Sequence, residues 1–288
     1  MRIALVTDVH FGPAATFEGK LRKLTNHAAA LTEEFVDRVR SLDDPDAIAN
    51  LGDVLEDLDA ATDRSNYQRF VKLLNGAGCP VLHVAGNHDD VNLSVEDLAA
   101  LWQLPSEARP GPDPVSYSVN IGWLHVTVLH SVERKDRDVR LPPAQLQWLQ
   151  QDLAATTLPT LVLVHHPLSE MRLAGNRWFE KAPHICRVAE RRQARKIIEE
   201  SGRVLAVLNG HVHWNHFDVV SGIPYITLQS LIENLDDDAP GRPARAHALL
   251  EVTSRRLLVH VRGEEEQRYQ VELDAAQRAL VEAAQQSR

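Results

Sequence analysis

Seven residues of the types that ligate metal ions stand in five short pieces strung along the chain. They are Asp8 and His10 in Asp8-Val9-His10, Asp53 after Gly52, Asn87 in Gly86-Asn87-His88-Asp89, His165 in His165-His166-Pro167, and His211 and His213 in Gly210-His211-Val212-His213. Each piece ends an apolar run that reads as a strand, and in an open α/β sheet ligands gather beyond the carboxyl ends of strands. Carboxylates, imidazoles and an amide make a mixed nitrogen and oxygen shell suited to manganese, iron, zinc or cobalt, without choosing among them. Two such ions about 3.5 to 4 Å apart provide a strong nucleophile at neutral pH and a clamp for the non-bridging oxygens of a phosphate ester. The pattern therefore predicts a binuclear metal hydrolase of phosphate esters.

The elements that must position these residues alternate in type. Arg2 to Thr7 is a short apolar run suited to a buried parallel strand, and Leu21 to Arg40 carries apolar residues at helical spacing. Ala47 to Leu51 and Val81 to Ala85 repeat the strand pattern around a helical Tyr67 to Leu74, which predicts a parallel half-sheet with right-handed crossovers. Val115 to Leu129 reads as an antiparallel hairpin turning at Asn120-Ile121-Gly122. Pro142-Pro143 opens a helix over Ala144 to Leu153, since proline is tolerated at a helix start. Leu161 to Val164 and Val204 to Leu208 are buried strands, and further strands are expected at Phe217 to Val220, Tyr225 to Leu228, Ala248 to Val252, Leu257 to Val261 and Arg268 to Leu273. The reading is one α/β domain over 1–273, with two facing sheets and helices outside, and a closing helix over 274–288.

Composition excludes several classes. A chain of 288 residues with 44% hydrophobic content can bury a large core, and a formal charge of −9 with mixed signs exerts no general pull on nucleic acid or anionic lipid. No apolar stretch approaches the roughly 20 residues needed to span a bilayer, and Met1 to Asp8 is too short for a secretory signal, so a cytoplasmic protein is expected. Cys79 and Cys186 match no zinc spacing and no disulfide framework. His27, His83, His125, His130, His184, His216, His247 and His260 read as packed or surface residues. Arg187, Arg191, Arg192, Arg195 and Lys196, interleaved with Glu190, Glu199 and Glu200, read as a salt-bridged helix face. Asp236 to Pro243 and Ser169 to Pro183 are the expected flexible loops. The second carries Arg172, Asn176, Arg177 and Trp178, placed to cap the site and contact substrate.

From Asp8 to His213 the ordered motifs, Asp-X-His, Gly-Asp, Gly-Asn-His-Asp, a strand-end His and Gly-His-X-His, resemble the calcineurin-like metallophosphoesterase superfamily. The resemblance implies a four-layer α/β/β/α sandwich. It also implies two divalent or mixed-valence transition-metal ions, one held by Asp8, His10 and His213, the other by Asn87, His165 and His211, with Asp53 bridging. A hydroxide shared by the ions would attack phosphorus, and His88 would stabilise or protonate the departing oxygen. The two ions would outweigh both carboxylates and the hydroxide, leaving a net positive site that attracts phosphate. His166 is expected to touch substrate or support the ligand shell. Relatives orient the catalytic His with an acid three positions past the bridging Asp; that position is Glu56, with Asp57 beside it.

Protein phosphatases of the superfamily carry Asp-Arg-Gly where this chain has Glu56-Asp57-Leu58. The chain looks closer to the small-molecule phosphodiesterases, the branch with cyclic-nucleotide and glycerophosphodiester enzymes, and Gln147-Trp148-Leu149 resembles part of a helix those enzymes place before the His-His-Pro strand. A phosphomonoesterase or nucleotide pyrophosphatase would use the same ligands. A nuclease is disfavoured by the net acidity. A non-catalytic binding module, the reading from another class, is disfavoured because His88 and all seven ligands are present.

Overall fold

The computed structural model describes residues 1–135 and 137–286. Two sheets carry the fold. The six-stranded sheet runs in the order Gln267–Glu272, Arg256–Arg262, His247–Val252, Arg2–Val6, Ala47–Asn50, Val81–His83. Its last three strands are parallel, and its first three form an antiparallel meander that joins Arg2–Val6. The seven-stranded sheet runs His216–Val220, Ile223–Thr227, Val204–Asn209, Thr160–Leu163, Leu124–Val128, Tyr117–Ile121, Arg109–Pro110, with four parallel strands in the middle and antiparallel pairs at both edges.

Period-two side chains explain the layering. Leu161 and Leu163 join the core between the sheets, where Val126 and Val128, their partners on the next strand, also lie. Val162 and Val164 point the other way into a second core. That second core is closed by Leu146, Leu149 and Leu153 of helix Pro143–Ala155 and by Ala194 and Ile198 of helix Arg191–Ser201. Helices Ala28–Arg38 and Ala60–Asn75 cover the other sheet with Leu31, Phe35, Tyr67, Phe70 and Leu74. The result is the four-layer α/β/β/α sandwich. Val281 and Ala284 of helix Ala275–Gln286 join the main core; positions 287–288 of the expected closing helix lie outside the described residues.

Three expectations need correction. Leu21 to Lys23 is not helical: Lys20–Lys23 pairs with Ala15–Phe17 in a small hairpin, and the helix begins at Ala28. The left-handed pair Glu18 and Gly19 turns the chain there, and the side chain that the strand buries is Arg22. The second hairpin turns at Gly122-Trp123, because Asn120 pairs with His125 and Ile121 with Leu124. Of the two expected flexible loops, 169–183 is packed, whereas 236–243 has no buried residue. Ser169, Met171, Leu173 and Asn176 are buried, and the Asn234 side chain holds the acidic loop through the Asp238 carbonyl and the Asp236 and Arg242 N–H groups.

Several quieter expectations agree with the structure. The basic cluster is salt-bridged as expected, but Arg187 precedes helix Arg191–Ser201 and the acid that Arg187, Arg191, Arg192 and Arg195 share, at 2.8 to 3.7 Å, is Glu170; Lys196 meets the expected Glu200 at 3.8 Å. Cys79 and Cys186 are free. Among the described residues no helix is long and apolar enough to cross a membrane.

Candidate metal centre

The five motifs leave five parallel strands at one rim. Asp8 and His10 follow Arg2–Val6, Asp53 follows Ala47–Asn50, Asn87 and His88 follow Val81–His83, His165 and His166 follow Thr160–Leu163, and His211 and His213 follow Val204–Asn209. The site therefore straddles both sheets. Backbone bonds stitch its loops together: Asp8 N–H donates to the Gly52 carbonyl at 2.9 Å, His10 N–H to Asp53 at 3.1 Å, and Gly210 N–H to His165 at 3.2 Å. Across the sheets, His211 N–H donates to the Asp8 carboxylate at 3.0 Å.

Asp8, His10, Asp53, Asp57, His211 and His213 all hold φ between 48 and 68, the left-handed region that non-glycine residues rarely enter. The Asp-X-His and His-X-His pairs thus do not lie along extended segments. Both members of each pair reach inward from a left-handed backbone. Such strain gathers at functional sites when the surrounding fold dictates it. Gly86 is required by close approach, since a Cβ there would overlap the Asp53 carboxylate and backbone.

The side chains converge. Asp8, His10 and His213 form one group, Asp8, Asp53 and His165 a second, and His165, His166 and His211 a third, with ligand atoms within 4.8 Å of one another in each. Asp53 is central: its Oδ2 lies 3.1 Å from His165 Nε2 and 3.9 Å from His10 Nε2.

Each of the four expected imidazole ligands has an acceptor for one nitrogen and turns the other inward. His10 Nδ1 meets the Leu55 carbonyl at 3.0 Å, His165 Nδ1 the Leu51 carbonyl at 2.8 Å, His213 Nδ1 the Glu233 carboxylate at 2.6 Å, and His211 Nε2 the Ile185 carbonyl at 3.2 Å. This is how proteins aim imidazoles at a metal. The inward His10 Nε2 and His213 Nε2 lie 3.2 Å apart, close enough to share one cation. His211 Nδ1 and Asn87 Oδ1 are buried with no hydrogen-bond partner, and His165 Nε2 faces only the Asp53 carboxylate, at 3.1 Å. Buried polar atoms are seldom left so, and these three fit a metal's coordination shell. His166 bonds Ser131 Oγ through Nδ1 at 2.8 Å, leaves its buried Nε2 unpartnered, and lies 4.0 Å from His211 between ring centroids.

The electrostatics agree. Burial would raise the Asp8 and Asp53 carboxyls, yet His213 brings Asp8 down to about 2, and His165, His88 and His10 hold Asp53 well below its ordinary value. Burial is likewise overcome at His165, raised to about 10 by Asp53, and at His213, raised to about 9 by Glu233 and Asp8. A field that holds a proton so firmly favours a metal cation for the same reason. Burial, with the Lys23 charge at His10 and the His165 charge at His211, lowers His10 to about 4 and His211 to about 3, leaving both neutral as ligation requires.

Around this shell the acids sort differently from expectation. His88 Nδ1 lies 2.6 Å from Asp57 Oδ1, so Asp57, not Glu56, orients that imidazole. Glu56 lies 3.1 Å from His10 Nδ1 and 2.6 Å from Lys23 Nζ. Glu56 is the longer acid and reaches past His88 to the neighbouring ring. Arg177 does not face the cavity: Glu233, Asp237 and the Asn234 carbonyl take up its guanidinium. Arg172 is exposed and outside the cavity lining, and Asn176 is buried, bonding the Val212 carbonyl.

Two supporting residues escaped the sequence reading. Asp89 accepts N–H groups of Asp53, Val54, Leu55 and Gly86 at 2.8 to 3.2 Å, fixing the loop that carries Asp53. Its signal was its place in Gly-Asn-His-Asp. Glu233 holds His213 from a loop twenty positions away, and nothing in its neighbourhood marks it. The cavity over the site, about 660 Å3, is lined by His10, Asp53, Asn87, His88, His211 and His213 on its metal side.

The model of the calcineurin-like phosphoesterase family matches residues 1–215. A protein named probable cyclic nucleotide phosphodiesterase from a Synechococcus strain is 30% identical over 220 residues, covering 74% of this chain and 73% of its own. A Psychrobacter protein of the same description is 27% identical over 64% of this chain and 50% of its own. The crystal structure of a dimetal phosphatase from Danio rerio superposes with a TM-score of 0.75 over 95% of this chain and 99% of its own, at 18% identity, which speaks for the fold. The chain belongs to the calcineurin-like phosphoesterase family and is a hydrolytic enzyme.

Proposed function

We propose that the protein hydrolyses phosphodiester bonds of a small-molecule or nucleotide ester at a two-metal centre. Asp8, His10 and His213 hold one ion, Asn87, His165 and His211 the other, and Asp53 serves both. The observation that carries this reading is the set of inward ligand atoms, His211 Nδ1 and Asn87 Oδ1 without a protein partner and His165 Nε2 facing only Asp53, beside the facing nitrogens of His10 and His213. When bound, the ions clamp the non-bridging oxygens and lower the pKa of the attacking water.

The chain's own residues do the rest. His88 Nδ1–H donates to Asp57, which fixes the ring and helps Asp53 hold it protonated, so that Nε2–H is free to donate to the departing oxygen. Glu233 and the Leu51 and Leu55 carbonyls orient His213, His165 and His10. The buried rim keeps water off all but the cavity side. The description of the Synechococcus relative favours a diester substrate, nucleotides included. A cytoplasmic setting belongs to the same reading, in keeping with the two free cysteines.

The deciding experiment compares bis-p-nitrophenyl phosphate with p-nitrophenyl phosphate on protein loaded with manganese, zinc, iron or cobalt. Faster turnover of the diester is expected. The reverse order would make the enzyme a monoesterase, and no turnover of either ester with any metal would remove the two-metal reading.

A further inference from the structure

Phe17 and Trp178 line the cavity without taking part in metal binding. Trp178 stands 5.2 Å from the His213 ring, and Phe17 5.1 Å beyond it at an interplanar angle of 44°. Both are held in place. Trp178 Nε1 donates to Glu233 at 3.0 Å, and the Arg22 guanidinium lies 5.3 Å from the Phe17 ring and 5.5 Å from the Trp178 ring. Arg22 is itself fixed by Glu18 at 2.9 Å and by the Arg177 carbonyl at 2.8 Å.

Phe17 remains 48% exposed. The other large hydrophobics that are exposed among the described residues are Leu42, Leu58, Val91 and Val219, of which Val91 also lines the cavity and Leu58 follows Asp57. Phe17 and Val91 thus put exposed apolar surface at the cavity, as at a ligand site. A cavity of this size, with a polar metal floor and an aromatic wall, takes a phosphate at one end and a flat apolar group at the other.

We propose that Phe17 and Trp178 form a stacking subsite for a planar ring carried by the ester, a nucleobase or an aryl group, and so set a preference for aromatic over aliphatic diesters. The proposal rests on the phosphodiesterase reading of the same cavity. Rings backed by a guanidinium are rigid platforms, and every nucleobase has a face to lay on them.

The test is binding of AMP and of ribose 5-phosphate, which differ by the base, to the metal-loaded protein by calorimetry. AMP is expected to bind about 10-fold more tightly, within the range of base-on-aromatic stacking. Phe17→Ala is expected to bring the two affinities together, and Phe17→Trp to keep them apart. In turnover, Phe17→Ala is expected to lower the ratio of bis-p-nitrophenyl phosphate to glycerophosphoethanolamine hydrolysis about 10-fold, through KM. Equal affinity of the native protein for AMP and ribose 5-phosphate, failure to bind either, or an equal loss of both in Phe17→Ala would overturn the subsite. Absence of diester turnover with intact AMP preference would instead overturn the phosphodiesterase reading and leave the subsite standing.

Discussion

The Asp57 carboxylate lies 2.6 Å from His88 Nδ1, while its neighbour Glu56 passes that ring and meets His10 and Lys23. Adjacent acids thus serve different imidazoles, and their substitutions are expected to separate. Asp57→Asn should keep both metals and lower kcat about 10- to 100-fold, because the ring loses its fixed tautomer. Glu56→Gln should weaken metal binding instead. Metal titration beside steady-state kinetics reads both, and matching profiles for the two variants would refute the division.

Asp53→Ala should lose metal stoichiometry and activity together, since Asp53 lies between His165 and His10. Elemental analysis after gel filtration measures this, and a fully loaded, active variant would exclude Asp53 as the shared ligand. Chelation of the native protein should lower its melting temperature, because a ligand that binds only the folded state stabilises it. An unchanged melting temperature would contradict a resident metal pair.

Away from the rim, Asp152 on helix Pro143–Ala155 accepts from Ser118 Oγ at 2.7 Å and Thr127 Oγ1 at 2.8 Å and meets His125 Nε2 at 2.9 Å. Asp152→Ala strands these buried groups and should cost about 3 kcal/mol. Burial pushes the carboxyl up, but His125 and the hydroxyls prevail and hold it below its ordinary value. Its contribution is therefore present above the unfolded pKa of about 3.9 and is lost as pH falls through the lower folded value. Urea titrations at pH 7 and pH 3 should show the gap between native protein and variant narrowing in acid; a constant gap would rule out the linkage.

Arg177→Ala should destabilise the fold by about 3 kcal/mol, because it leaves the buried Glu233 carboxylate without its guanidinium. Thermal unfolding measures this. An Arg177→Ala protein with native stability and a greatly raised KM would return Arg177 to the substrate.

Much of the fold was legible because buried parallel strands are short apolar runs and the ligand motifs end them. Val204–Asn209 and its Gly-His-X-His show both signals at once. The hairpin at 15–23 was hidden because Leu21 and Leu24 stand at helical spacing, while the residue that the strand buries, Arg22, is charged and gives no apolar alternation. At the site, the ligand types were readable from their spacing, but the sharing of acids between His10 and His88 was not. It depends on side-chain reach across a left-handed turn at Asp57, which spacing alone does not encode. Glu233 lay beyond reach for a different reason: only the folded chain brings it against His213.

Glu233 holds His213 through one oxygen and the Trp178 indole through the other. A single carboxylate thereby ties the chemistry to the doorway. Evolution cannot retune the entrance at Trp178 without disturbing the imidazole at His213, so new specificities are more readily reached at the Phe17 side chain, which carries no hydrogen bond to any metal-site residue.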